Sequence, residues 1–348
     1  MDKTTFRILD TLSRDLASPV SINELTKRIT RLHSPAYYKN VYDRVHELSR
    51  RRLLSVSTTG NASQVSLNLG SYLLTDMLAE VEMINKRTLL ENREGIQAIL
   101  MELESCLSRD FPLIDSVSLV APKRNLSLNR LEFLIILKRG ATDLMDMHLC
   151  LRRLQSMHNI SIDPLILSES EFTGFLRSSE YNPLKDMLSD KIAVLNPVNL
   201  WRLLSKHLTS GMVIKSTGSV DITRIPEKDL SYNLERFGYR EFGTRTRAGR
   251  RICLECIIIS AMLSSDARKR ESVPILLAKN KINYSLLVFL CQEHNILNKL
   301  LGLLNTLKKI KCSNEALSAI RILEAIGIDE EKADLKGIKK KMELYHAT

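Results

Sequence analysis

Residues 117 to 137, VSLVAPKRNLSLNRLEFLIIL, constrain the fold more than any other stretch of this chain. Two apolar runs, Val117 to Val120 and Leu131 to Leu137, flank a polar, basic loop and read as buried strands. Glu132 places a carboxylate near the start of the second run. It is either an acid at a solvated strand end or what is left of a metal site. Elsewhere apolar residues recur mostly at helical spacing, so the expected class is α+β with several domains. A chain of 348 residues, 44% hydrophobic, is long enough for that.

The first seventy residues predict three helices and a hairpin. The first helix runs from about Thr4 to Leu16 with Leu9, Leu12 and Leu16 on one face. Ser21 and Glu24 have capping-box spacing ahead of a second helix, with Leu25, Ile29 and Leu32 inward. Ser34 as N-cap and Pro35 at the first helical position open a third, with Val41, Val45 and Leu48 inward. Its other face carries Tyr37, Tyr38, Lys39, Asn40, Tyr42, Arg44 and Arg51, and the helix ends in SRRR, which contains Arg50, Arg51 and Arg52. Two short alternating segments, LLSVS and QVSLNL, follow, joined by the turn-rich TTGNAS.

This pattern resembles a winged helix-turn-helix domain over roughly residues 3 to 70. The resemblance implies that the third helix enters the major groove of duplex DNA and that the hairpin wing touches the backbone. Lys39, Arg44, Arg50, Arg51 and Arg52 are then the expected phosphate contacts, with Asn40, Tyr37, Tyr38 and Tyr42 reaching bases or sugars. A competing reading gives the same face to a protein partner, with the tyrosines as anchors. The net charge of +11 favours a polyanionic partner: duplex DNA first, RNA second.

Residues 71 to 110 read as a helical connector. Leu74, Met77, Leu78, Val81 and Ile84 form one stripe, and Ile96, Ile99, Leu100, Leu103 and Leu107 another. Asn92 and Gly95 mark a break. Either stripe packs on a neighbouring domain or forms a homodimer seam.

From 111 to 206 the order changes to strand 115–121, strand 131–138, helix 142–157, strand 160–167 and a helix opening at SESEF. This order resembles the minimal nucleotidyltransferases of the DNA polymerase beta superfamily. The family needs a Gly-Ser turn after the first strand, two acids one residue apart on the next, and a third acid on the strand after. Together these hold two Mg²⁺ ions on a triphosphate. Here the turn is Ala121-Pro122, the paired position falls on Arg130 and Glu132, and the third acid matches Asp163. Proline offers no amide proton, and an arginine opposes a cation. The resemblance therefore implies a silent site. Glu132 and Asp163 are remnants, no catalytic residue, metal or cofactor is expected, and Lys123 or Arg130 is left as an anion contact. The alternatives are a divergent metal-dependent nucleotidyltransferase acting on protein, RNA or a small molecule, and a protein-assembly module.

A loop-rich linker, 207–230, leads to an all-helical bundle, 231–348. RFGYREFGTRTRAGRR (236–251) interleaves aromatics with arginines, among them Arg240, Arg245, Arg247, Arg250 and Arg251. These either bind nucleic acid or form a solvated basic face. The bundle is a second expected dimer contact. Cys253 and Cys256 form a C-x-x-C amid Ile and Leu and read as buried core residues, since neither a second ligand pair nor a strand–helix turn is evident. No apolar run reaches membrane-spanning length, and the opening MDKTTFRILDTLSRD lacks a signal-peptide core, so a cytoplasmic setting with no membrane partner is expected.

Overall fold

The structure, a computed structural model, describes residues 1–16, 19–60, 62–91, 93–127, 129–138, 144–208, 220–240, 248–310 and 312–347. The described residues form a mixed α/β protein, mainly helical, with two small sheets. The chain divides into two compact units. The first takes Met1–Gly140, Ser168–Arg177 and Pro183–Thr217; the second takes Ala141–Leu167, Ser178–Asn182 and Gly218–Thr348.

The first unit opens with α1 (Lys3–Ser13), β1 (Val20–Ser21), α2 (Ile22–Leu32), α3 (Tyr38–Arg50), β2 (Leu54–Thr59) and β3 (Ala62–Leu67). The three strands form an antiparallel sheet in the order β1-β3-β2, with Val65 opposite both Val20 and Val56. Ile8, Leu9, Leu25, Ile29, Val41, Val45, Leu48 and Val65 are buried together with almost no exposed surface. Each helix thus gives one apolar stripe to a shared core.

Three local expectations need correction. α1 stops at Ser13, although Leu16 remains buried. Leu32 is 44% exposed, because α2 uses Ile22, Leu25 and Ile29 as its inner stripe and ends at Leu32. Ser34 does not cap α3, which starts three residues later, after Tyr37. The Ser34 hydroxyl is taken by the Arg7 guanidinium, and the Ala36 N–H donates to Thr30 Oγ1 at 3.3 Å, so residues 35–37 stay outside the helix. Ser21 does cap α2, accepting from the Glu24 N–H at 3.2 Å, but the Glu24 carboxylate turns to Arg28 at 3.0 Å rather than closing the box.

α4 (Tyr72–Leu90) and α5 (Glu94–Asp110) follow as two helices. Leu74, Leu78 and Val81 of α4 are buried, with Met77 and Ile84 half-buried. Next come β4 (Ile114–Val120), α6 (Pro122–Ser127) and β5 (Arg130–Leu137). The unit is completed by α8 (Glu169–Arg177), α9 (Pro183–Ser189), β7 (Lys191–Leu195) and α10 (Pro197–Leu208). β4 pairs antiparallel with β5 on one side and β7 on the other. β4 and β5 each start and end one residue before their expected limits, within the usual uncertainty of boundaries.

Two buried polar groups tie this unit together. Asp10 on α1 faces His33 (3.2 Å), the Arg14 guanidinium (3.2 Å) and the Asn85 amide of α4 (2.7 Å). Burial pushes its carboxyl up, but the His33, Arg14 and Asn85 contacts outweigh that and hold it down at about 2. Glu82 of α4 pairs with Lys191 of β7, both almost wholly out of water. Its second oxygen accepts from the Ala193 N–H at 2.9 Å. The Lys191 ammonium also lies 4.5 Å from the ring centroid of Trp201 on α10.

The second unit contains α7 (Leu144–His158) and β6 (Ser161–Ser168, all but its last residue). A 3₁₀ turn (Ile222–Arg224) then precedes α11 (Glu227–Arg236), α12 (Leu254–Leu263), α13 (Ala267–Lys279), α14 (Tyr284–Glu293), α15 (Leu297–Lys308), α16 (Asn314–Ala325) and α17 (Leu335–Leu344). α12 is buried on all sides, which fits its largely apolar sequence, broken only by Glu255 and Ser260.

Candidate nucleic-acid interface and the Glu132 cluster

α3 has two chemically distinct sides. Val41, Val45 and Leu48 fill the core, while Tyr37, Tyr38, Lys39, Asn40 and Tyr42 are exposed. Tyr37 is 77% exposed, which is unusual for so large a ring and leaves its apolar face without a partner in this unit. Tyr38 and Tyr42 lie 5.9 Å apart, and Tyr42 packs on His46 at 4.3 Å. The aromatic row is thus partly ordered by its own contacts. The N-cap Tyr37 makes no side-chain capping bond.

The C-terminal end of α3 is basic. Arg50, Arg51 and Arg52 are all exposed. The Leu53 N–H donates to the Leu48 carbonyl and the Arg52 N–H to the Ser49 carbonyl, which together make a Schellman turn. That turn puts Arg52 at φ 58°, the left-handed position where glycine is favoured. An arginine there costs about 1–2 kcal/mol of backbone energy. Arg44, in contrast, is half-buried and engaged by Glu47 at 2.8 Å and Asp2 at 3.6 Å. Of the basic residues expected to be free, Arg44 is therefore already used inside the unit. The hairpin carries no charged residue from Leu54 to Leu67, and among the described residues its exposed polar side chains are Ser55, Ser57 and Thr58.

Around Glu132 the structure brings together two of the predicted residues, Glu132 and Arg130, with Arg124 as a neighbour. Glu132 is buried at the start of β5. Its carboxylate lies 3.2 Å from Arg130 Nε and 3.6 Å from an Arg124 nitrogen. Arg130 and Glu132 share one face of the strand by its period of two. The turn before α6 is tight, with Ala121 at φ 41°. The Ala121 N–H donates to the Asp190 carbonyl at 2.7 Å, and Pro122 has no N–H to give. The Asn125 amide closes the turn onto the Val120 carbonyl at 2.9 Å. Lys123 falls on α6; its side chain lies outside the described residues. Two guanidiniums on one carboxylate do not fit a divalent cation, because they already supply its counter-charge. Asp163 belongs to the second unit, where it accepts from Ser161 Oγ at 3.2 Å and from the Gln292 amide. Among the described residues no group of three or more His, Cys, Asp or Glu is placed to hold a metal ion, and no helix is long and apolar enough to cross a membrane.

The basic segment 236–251 is divided. Arg245 and Arg247 lie outside the described residues. Arg236, read as part of a free basic face, is an internal residue. It pairs with Glu180 at 2.9 Å, donates to the Ile252 carbonyl at 2.6 Å and lies over the Phe237 ring. Arg250 is half-buried over Tyr181 (5.1 Å), and its N–H donates to Asp229 at 2.9 Å. Arg240 is 63% exposed, only 3.8 Å from Glu235, and Arg251 is exposed. No single acidic run marks these partners. Glu180 and Asp229 are distant in sequence, so local charge counting misses them.

No family model matches this chain, and comparison with curated proteins and with solved structures returns no match.

Proposed function

We propose that this protein is a nucleic-acid-binding regulator or architectural protein in which residues 1–70 act as a winged helix-turn-helix module and dock α3 on duplex DNA. The observation that carries this is the outer side of α3. Exposed Tyr37, Tyr38, Lys39, Asn40 and Tyr42 lead toward the exposed Arg50, Arg51 and Arg52, with a closed apolar core behind them. Arg52 adds weight, since an arginine is kept where a glycine would be more stable. The arginines would hold phosphates, and Asn40 and the tyrosines would meet base edges or sugars. The uncharged hairpin would contribute hydroxyl contacts to the backbone rather than charge.

In the same proposal the region from β4 to α10 is nucleotidyltransferase-like and silent. Support comes from the clasp of Arg124 and Arg130 on Glu132, the Ala121 N–H spent on Asp190, and Pro122. The scaffold then serves binding rather than transfer.

The test is an anisotropy titration of labelled duplex DNA at several salt concentrations. Affinity should fall steeply with salt, as counterions are released, and replacing Arg50, Arg51 and Arg52 by Ala should flatten that slope by roughly one unit per lost phosphate contact. Absence of binding at low salt would sink the proposal. Incubation with labelled nucleoside triphosphates and Mg²⁺ or Mn²⁺ should show no transfer; transfer lost in Glu132→Ala would establish the enzyme instead.

A further inference from the structure

The start of α12 holds a group of residues that a nucleic-acid-binding role does not use. Cys253 is the N-cap of α12 and Cys256 lies within its first turn. Both are free thiols, and both are buried. The Cys253 thiol donates to Cys256 Sγ at 3.3 Å. A disulfide needs about 2.05 Å between sulfurs, so closure asks for roughly 1 Å of side-chain movement. The segment ahead of the helix is strand-like. Ile252 bridges Tyr181, and the Cys253 N–H donates to the Tyr181 carbonyl at 2.9 Å. This is the extended-to-helix turn that the sequence alone did not reveal.

Between the two cysteines stands Glu255, buried inside the unit. Its carboxylate accepts from the Asn283 N–H at 2.8 Å. No cation neutralises it among the described residues. A buried carboxyl without a cation is costly, and the one amide it accepts from, at the start of α14, offsets only part of that cost. The Cys253 proton rests on the Cys256 sulfur, and the Glu255 carboxylate, two residues on, is close enough for its charge to act on the thiol. A metal site is not the explanation, since no three-ligand group is present among the described residues.

We propose that Cys253, Cys256 and Glu255 form a dithiol redox site that closes an intramolecular disulfide on reaction with a hydroperoxide. Cys253, 5% exposed against 0% for Cys256, is the sulfur that meets the oxidant. Its proton passes to Glu255. The thiolate attacks the terminal peroxide oxygen, the O–O bond breaks, and Cys253 becomes a sulfenic acid. The leaving alkoxide takes the proton from Glu255 and departs as the alcohol, or as water when the oxidant is hydrogen peroxide. Cys256 then gives up its proton and attacks the Cys253 sulfur. The S–S bond forms, and the displaced hydroxide leaves as water with the Cys256 proton. Two thiols lose two electrons, and the peroxide gains them. A thiol reductant reverses the change.

The two influences on Cys253 oppose each other. The helix N-terminus favours a thiolate, but the hydrogen bond to Cys256 and then burial push the thiol well up. Burial also pushes the Glu255 carboxyl up, toward the thiols it would serve. The balance makes a slow, base-dependent site, suited to sensing sustained peroxide rather than removing it.

The test uses the reduced full chain. It is treated with hydrogen peroxide at neutral pH, quenched with acid, alkylated and mapped by peptide mass. A Cys253–Cys256 linked peptide, lighter by two hydrogens, is expected. It should vanish in Cys253→Ser and in Cys256→Ser, and revert with dithiothreitol. Both cysteines fully alkylated, or over-oxidised without a linked peptide, would overturn the proposal. Glu255→Gln keeps the acceptor for the Asn283 N–H and should close about tenfold more slowly at neutral pH. Faster closure would mean that Glu255 only repels the thiolate, and would overturn its assignment as proton acceptor. The wild-type rate needs no variant to fold: it should show a carboxyl ionisation above 4.5 in its pH profile, and a profile with thiol ionisation alone overturns the same assignment.

Discussion

Replacing Glu82 by glutamine removes one charge from a pair that is almost wholly out of water. Glu82 and Lys191 side chains are each 3% exposed, so the lysine left behind has little solvent to turn to. Breaking a buried pair by removing one partner costs about 3–5 kcal/mol, mostly because the remaining charge stays buried. Glutamine still offers a carbonyl oxygen to the Ala193 N–H; Glu82→Ala does not, and should cost roughly 1–3 kcal/mol more. Glu82→Met combined with Lys191→Met removes both charges at similar volume. It should regain most of the loss, falling short by about the unsatisfied Ala193 amide. The assay is urea unfolding followed by the fluorescence of Trp201, the only tryptophan of the chain, which is fully buried beside Lys191. With a slope of about 2 kcal/mol/M, Glu82→Gln should lower the midpoint by roughly 1.5–2.5 M. A single-variant loss below about 1 kcal/mol, or a double variant whose loss is the sum of the singles, would refute the reasoning, because it would mean the pair is solvated or uncoupled.

Asp10, held at about 2 against an ordinary 3.8, should contribute about 2 kcal/mol to the first unit. Its folded value is depressed, so the contribution is full above pH 4 and lost as pH falls through 2; Asp10→Asn should lack that acid limb in a Trp201-monitored pH titration. Arg52→Gly should raise stability by about 0.5–1 kcal/mol, because φ 58° suits glycine, while weakening DNA binding. A variant that is more stable and binds equally well would show that Arg52 has no role on DNA. Gly302→Ala reverses a familiar sign: alanine normally gains about 1 kcal/mol in a helix, but here its Cβ would stand 1.7 Å from the Glu331 carbonyl oxygen. Thermal melting should therefore show a loss of about 1–3 kcal/mol or more, and a higher midpoint would refute the close approach.

Much of the N-terminal region is legible because its signals are local. Helical spacing finds Val41, Val45 and Leu48, and the Ser21 cap is visible three residues from Glu24. The start of α3 was misplaced because the hydroxyl that should cap it answers to Arg7, 27 residues away. Distance along the chain is the general limit. Nothing near Glu82 announces Lys191, and nothing near Arg236 announces Glu180. The Arg130–Glu132 contact was within reach, since alternate residues of a strand share a face; Arg124 was not, because it depends on the turn at Ala121. For the C-x-x-C, burial was legible from the surrounding Ile and Leu, but the bridge at Ile252 and the burial of the acid between the thiols were not.

The way the chain alternates between its two units has a consequence for its synthesis. The six segments follow one another in turn, so the chain passes from one unit to the other five times. β7 and α10 reach the first unit only with residues 183–217. Glu82 must therefore wait for Lys191, 109 residues later. At about 5–20 residues per second, a ribosome takes roughly 5–20 s to deliver that partner. During that interval the nascent chain carries an acidic, half-finished helix face.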